Sequence, residues 1–110
     1  MAADENEWYA VRCVFQWTGA DGTPFEERIT LWRARDLADA IGQAETDARE
    51  YAENTGVTWL GLAQAYATGD TELGPGAEVF SLLRDSALPA PEYLDRYFAT
   101  GREHQGDLAD

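Results

Sequence analysis

The stretch from Asp36 to Gly56, DLADAIGQAETDAREYAENTG, limits what this chain can fold into more than any other. Leu37, Ile41, Ala44, Ala48, Tyr51 and Ala52 recur at steps of three and four, which on an α-helix makes a single apolar stripe. Asp36 can cap the first free amides, and Asp39 places negative charge in the first turn, where the macrodipole favours it. Glu45 and Arg49 stand four apart on the outer face in the favourable order. Gly56 supplies a left-handed stop. Alanine fills the middle of the stripe, so this helix can approach its neighbour closely. Everything else has to be arranged around it.

Before the helix, Trp8–Trp17 alternates with period two. Tyr9, Val11, Cys13, Phe15 and Trp17 form an apolar face, and Trp8, Ala10, Arg12, Val14 and Gln16 a mixed one. The odd positions are assigned to the core, with Cys13 as a small buried hydrophobe. The turn-rich loop 18–24 joins this strand to Phe25–Ala34 as an antiparallel hairpin. There Phe25, Ile29 and Leu31 are assigned to the core side, broken by Glu27, and Glu26, Arg28, Thr30 and Trp32 to the outer side. Arg12 then meets Glu26 or Thr30 across the pair. Val57–Ala67 is apolar on both faces and reads as a central strand; its Trp59, Gly61, Ala63, Ala65 side is small enough to take the helix. Ala77–Arg84 reads as a fourth strand and Pro91–Thr100 as a short helix with Tyr93, Leu94, Tyr97 and Phe98 on one side.

The expected architecture is α+β: a ββαββα chain with a four-stranded antiparallel sheet in the order 2-1-3-4. One long helix covers it, and a short C-terminal helix follows. Residues 1–7 form a loose acidic lead, 8–101 a single domain and 102–110 a frayed tail. Trp8-Tyr9-Ala10-Val11-Arg12, Glu27-Arg28 with Trp32-Arg33-Ala34, and Ala40-Ile41 with Ala44-Glu45 together resemble a family of small bacterial ββαββ proteins of unknown function. That family is common in actinobacteria, and the resemblance spans roughly residues 8–68. It implies the fold and the host, and it brings no activity and no site residues.

All eight basic residues are arginine, against 21 acids, for a formal charge of −13. Adaptation to a GC-rich or salt-adapted host accounts for this balance before any function does; the functional reading is a negative surface facing a basic partner. No arginines cluster in sequence, which speaks against direct nucleic-acid binding. One cysteine excludes an internal disulfide, no apolar run reaches membrane-spanning length, and the start MAADENEW has no signal-peptide pattern. The expected location is cytoplasmic.

Chemistry is hard to place. His104 and Cys13 have no metal-ligand spacing, so no metal and no cofactor are expected. Asp70 with Glu72, or Glu26 with Glu27, read as solvated acids before they read as a magnesium site. Ser81 and Ser86 lack a histidine base, and Gly74-Pro75-Gly76 lacks the lysine of a phosphate loop. No catalytic residue is assigned, and an enzyme is held only in reserve. Aromatic and arginine residues are the residue types of binding hot spots. Trp8, Arg12, Arg28 and Trp32 are placed together on the face away from the long helix, where Tyr93 and Tyr97 either cover them or join them. The expected function is a non-enzymatic interaction module binding a protein through that face. Its partner would be a second copy or a basic chain, the latter in an immunity- or inhibitor-like role. The alternative is a small-molecule binder, with a pocket between sheet and C-terminal helix lined by Trp8, Arg12, Trp32, Tyr93 and Tyr97. Arg12 or Arg28 would then orient an acidic group of the ligand.

Overall fold

Two local signals set the long helix, and both operate as the residues dictate. In the computed structural model, which describes residues 6–18, 24–99 and 101, helix α1 spans Leu37–Thr55. The Asp36 carboxylate accepts from the Asp39 amide at 2.8 Å. Gly56 sits at φ 81° and donates to the Ala52 carbonyl, a conformation in which a Cβ would be strained. Three alanines, Ala40, Ala44 and Ala48, form the buried line of contact, and Leu37 lies exposed before it.

Strands β1 (Glu7–Gln16), β2 (Phe25–Ala34) and β3 (Thr58–Ala67) make one antiparallel sheet in the order β2-β1-β3. The hairpin joins β1 to β2, and α1 carries the chain across β1 to β3. Trp17 donates its amide to the Pro24 carbonyl at 2.9 Å, closing the hairpin before residues 19–23, which lie outside the described set. A four-residue helix, α2 (Ala90–Tyr93), runs into a wide π turn over Leu94–Phe98. The assigned lead and tail, and with them His104, fall largely outside the described residues.

The core lies between α1 and the odd face of β1. Tyr9, Val11, Cys13 and Phe15 are buried there against Ala40, Ala44 and Ala48, and Phe15 meets the Tyr51 ring edge-on at 5.0 Å. Apolar area removed from water at this seam is the main favourable term in the fold.

Three expectations need correction. First, β1 is the central strand and β3 is an edge; Ala77–Arg84 forms no regular element and joins no ladder, so among the described residues the sheet has three strands, not four. Period-two patterning specifies an extended chain, whereas a strand also needs backbone groups to pair with. Second, the faces of β2 are reversed. Each β1–β2 pair sums to 41, so an odd position on β1 always meets an even one on β2: Tyr9 faces Trp32, Val11 faces Thr30, Cys13 faces Arg28. Paired residues share a side of the sheet. Glu26, Arg28, Thr30 and Trp32 therefore lie under α1, and Phe25, Ile29 and Leu31 lie on the side away from it. Third, Arg12 reaches Glu27 rather than Glu26 or Thr30.

Strand β3 keeps its assigned facing with one irregularity. Cys13 pairs with Ala63 and Phe15 with Trp59, so four positions of β3 oppose two of β1. Two extra residues bulge out, with Gly61 at φ 83° making the bend, and the even number keeps Trp59 on the α1 side. Ala63 and Ala65 give α1 its close approach.

Candidate functional site

The side of the sheet away from α1 carries the candidate site. Its residues are Trp8, Ala10, Arg12 and Val14 from β1, Phe25, Glu27, Ile29, Leu31 and Arg33 from β2, and Gln64 and Tyr66 from β3, as the pairing requires. At one end, Trp8 is held by backbone and side-chain bonds from Thr68 and lies beneath Arg33, whose guanidinium carbon is 5.8 Å from its ring. Arg33 also donates to the Thr71 carbonyl at 3.2 Å.

The chain after β3 crosses part of this side. Phe80 packs against Tyr66 with centroids 5.8 Å apart, Glu78 accepts from the Tyr66 hydroxyl, and Ser81 donates to the same oxygen. Arg12 stacks over Phe80 at 5.1 Å and donates to Gln64 at 2.6 Å, with the Glu27 carboxylate farther off at 3.6 Å. Alternation explains the crossing: Phe80, Leu82 and Arg84 point one way, and Leu83 between them is fully exposed.

Beyond Phe80 the chain stands off the sheet. Arg84 donates to the Tyr93 hydroxyl at 3.1 Å and lies 4.3 Å from the Tyr97 ring, and the Tyr93 and Tyr97 rings meet tilted, 5.0 Å apart. Between this layer and the sheet lies a groove of about 520 Å³. Its floor is Arg12, Val14, Leu62 and Gln64, and its far wall is Leu82, Arg84, Tyr97 and Phe98.

Arg12, Tyr93 and Tyr97 are thus brought together, as the expected pocket required. Trp8 shares the side but lies outside the groove lining. Arg28 and Trp32 are on the opposite side, under α1. Arg28 pairs with Asp47 at 2.9 Å and stacks over Tyr51 at 4.1 Å. The Trp32 indole donates to Thr30 at 2.7 Å. The inversion of β2 separates the six residues. Arg84, Gln64 and Leu82 escaped the sequence reading; the alternation from Phe80 to Arg84 was the available signal for two of them.

Two groups on the α1 side are shifted from their ordinary titration ranges. Burial, reinforced by Asp47, pushes the Cys13 thiol above its ordinary range, so the thiolate is disfavoured. Tyr51 is raised chiefly by the hydrogen bond it donates to Glu26, which holds its proton. Among the described residues no group of three or more His, Cys, Asp or Glu side chains could hold a metal ion. No described helix is long and apolar enough to cross a membrane. Comparison with known protein families, with curated proteins and with solved structures returned no match.

Proposed function

We propose that this chain is a non-catalytic interaction module that binds another protein chain through the open side of its sheet. One observation carries the reading. Phe25, Ile29 and Leu31 on β2, with Leu60 and Leu62 on β3, are 62, 45, 40, 46 and 56% exposed. Large apolar side chains exposed on both edge strands of one side of a sheet favour an interaction surface.

The distribution of charge favours a second copy as the occupant. α1 carries Asp39, Glu45, Asp47, Glu50 and Glu53 against Arg49 alone, and it lies on the far side of the sheet. The open side carries Arg12 and Arg33 beside Glu27, a mixed and self-complementary set. Two copies meeting open side to open side keep their acidic helices farthest apart, which limits the repulsion that −13 per chain would otherwise impose.

The test is sedimentation of the purified chain, with Ile29→Asp/Leu31→Asp as the variant. Wild-type protein at about 100 µM is expected to sediment as a dimer, within reach of a modest interface. The variant is expected to be monomeric with a nearly unchanged thermal midpoint, because both side chains already face water. A wild-type chain that stays monomeric at that concentration overturns the second copy as occupant. Co-purification of a stoichiometric basic protein, lost in the variant, would replace it with the heteromeric, immunity- or inhibitor-like form.

A further inference from the structure

We propose that the groove between the open side of the sheet and the C-terminal turn binds a small carboxylate with an apolar body, of the arylalkanoic acid class. The groove shares Arg12, Glu27 and Leu62 with the proposed contact between copies, so the ligand is tested both on the wild-type chain and on the Ile29→Asp/Leu31→Asp variant, whose substituted positions lie outside the groove lining.

Two guanidinium groups from distant parts of the chain, Arg12 on β1 and Arg84 on the segment after β3, line one cavity. Among the described residues Glu27 is the one carboxylate in its wall, so these residues bring two positive charges against one negative in a chain of −13. If these arginines served only packing, acids would be the natural partners, and the chain has 21 of them. Arg28 shows that outcome on the other side, where it meets Asp47 at 2.9 Å. In the groove the pattern differs. Arg84 meets no carboxylate within 4.0 Å among the described residues, and Arg12 has its Glu27 only at 3.6 Å.

Neutral groups orient both arginines instead. Gln64 and the Phe80 ring hold Arg12; the Tyr93 hydroxyl and the Tyr97 ring hold Arg84. A guanidinium fixed by neutral partners keeps donors available for an incoming carboxylate, the geometry it recognises best. The rest of the wall selects the body of the ligand. Val14, Leu62 and Leu82 are aliphatic and Phe98 is aromatic, and 520 Å³ falls in the range of organic-ligand sites. Acetate or inorganic phosphate would leave that apolar wall unused.

The experiment is a titration of the full, ¹⁵N-labelled chain with 3-phenylpropionate, followed by amide chemical shifts. Saturable shifts are expected at Leu62, Gln64, Leu82 and Arg84. The neutral 3-phenylpropionamide and acetate are each expected to bind at least about ten-fold more weakly, the size of one charge-assisted hydrogen bond or of the apolar body. Arg84→Gln should lose a similar factor. It sits on an exposed segment, so its folding is secure even if Arg12→Gln proves unstable. Glu27→Gln should tighten binding by removing the groove's one negative charge. Absence of saturable shifts up to about 10 mM ligand, or equal binding of the amide, overturns the proposal. Absence of shifts in the monomeric Ile29→Asp/Leu31→Asp variant refutes the groove alone; a wild-type monomer that shows them refutes the second copy alone.

Discussion

Under α1 every element is matched. Phe15 and Val11 are fully buried, and the polar residues that β2 contributes all find partners: Arg28 with Asp47, Glu26 with Tyr51, Thr30 with Trp32. On the other side of the same strand, Ile29 and Leu31 face water, and Glu27 between them and Phe25 is the β2 residue that lines the groove. β2 therefore carries Glu26, Arg28 and Thr30 where the protein is closed, and its aliphatic Ile29 and Leu31, between Glu27 and Arg33, where it is open. The difference teaches that the closed side is secured by shape, through alanine against alanine, and by a polar fringe. The open side keeps the apolar surface that a partner or a ligand can still cover.

Substitutions on the two sides should respond on different scales. Phe15→Ala removes a ring with no exposure and should cost about 3–5 kcal/mol, read from chemical denaturation. If it cost less than the surface changes below, the closed side would not be the core. Ala44→Leu, on the 1% exposed line where α1 touches the sheet, should cost about 1–3 kcal/mol by forcing the helix away. A neutral result would mean that the close approach is not what holds α1 in place.

Asp36→Ala removes the cap on α1 and should cost roughly 1 kcal/mol. The neighbouring Asp39 sharpens the same point through pH. The Arg35 amide bonded to its carboxylate holds its pKa below the ordinary value. Its folded pKa is depressed, so its stabilisation is complete above the unfolded value of about 3.9 and is lost as pH falls through the lower folded one. Asp39→Asn should therefore narrow the gap to wild type as pH drops through that window in acid-unfolding curves. A gap independent of pH would remove the carboxylate from the account.

Arg28→Ala should cost roughly 0.5–1 kcal/mol, because its pair with Asp47 is about one-third exposed on each side and screened by solvent. Added salt should shrink that loss in thermal melts. Leu31→Ala on the open side should change the stability of the monomer by less than about 0.5 kcal/mol. A loss as large as that for Phe15→Ala would show that the open side is already covered in solution.

The helix was legible to its termini because each signal is local. Asp36, Asp39 and Gly56 act within one turn of where they stand, and the stripe needs only the helical period. The odd face of β1 was legible for a similar reason over Tyr9, Val11, Cys13 and Phe15, whereas Trp17, assigned to the same face, lies past the end of the strand and is exposed. On β2 both faces mix apolar and polar residues, and alternation there cannot tell inside from outside. A pocket with Arg12, Tyr93 and Tyr97 was expected, but its second arginine escaped for another reason: Arg12 and Arg84 are far apart in sequence, and neither has a local pattern that announces the other.

By itself, then, the amino-acid order determined the α+β class, the hairpin, the long helix with both of its ends, and the buried odd face of β1. Tertiary structure decided the rest. Which side of β2 meets α1 depends on the register with β1, and a shift of one residue exchanges every side chain between the two faces. Whether Ala77–Arg84 becomes a strand depends on a pairing edge being within reach, and there the chain turns toward Tyr66 and Arg12 instead of joining the ladder of β3. Both outcomes are set by contacts between distant residues, which no short window of sequence contains.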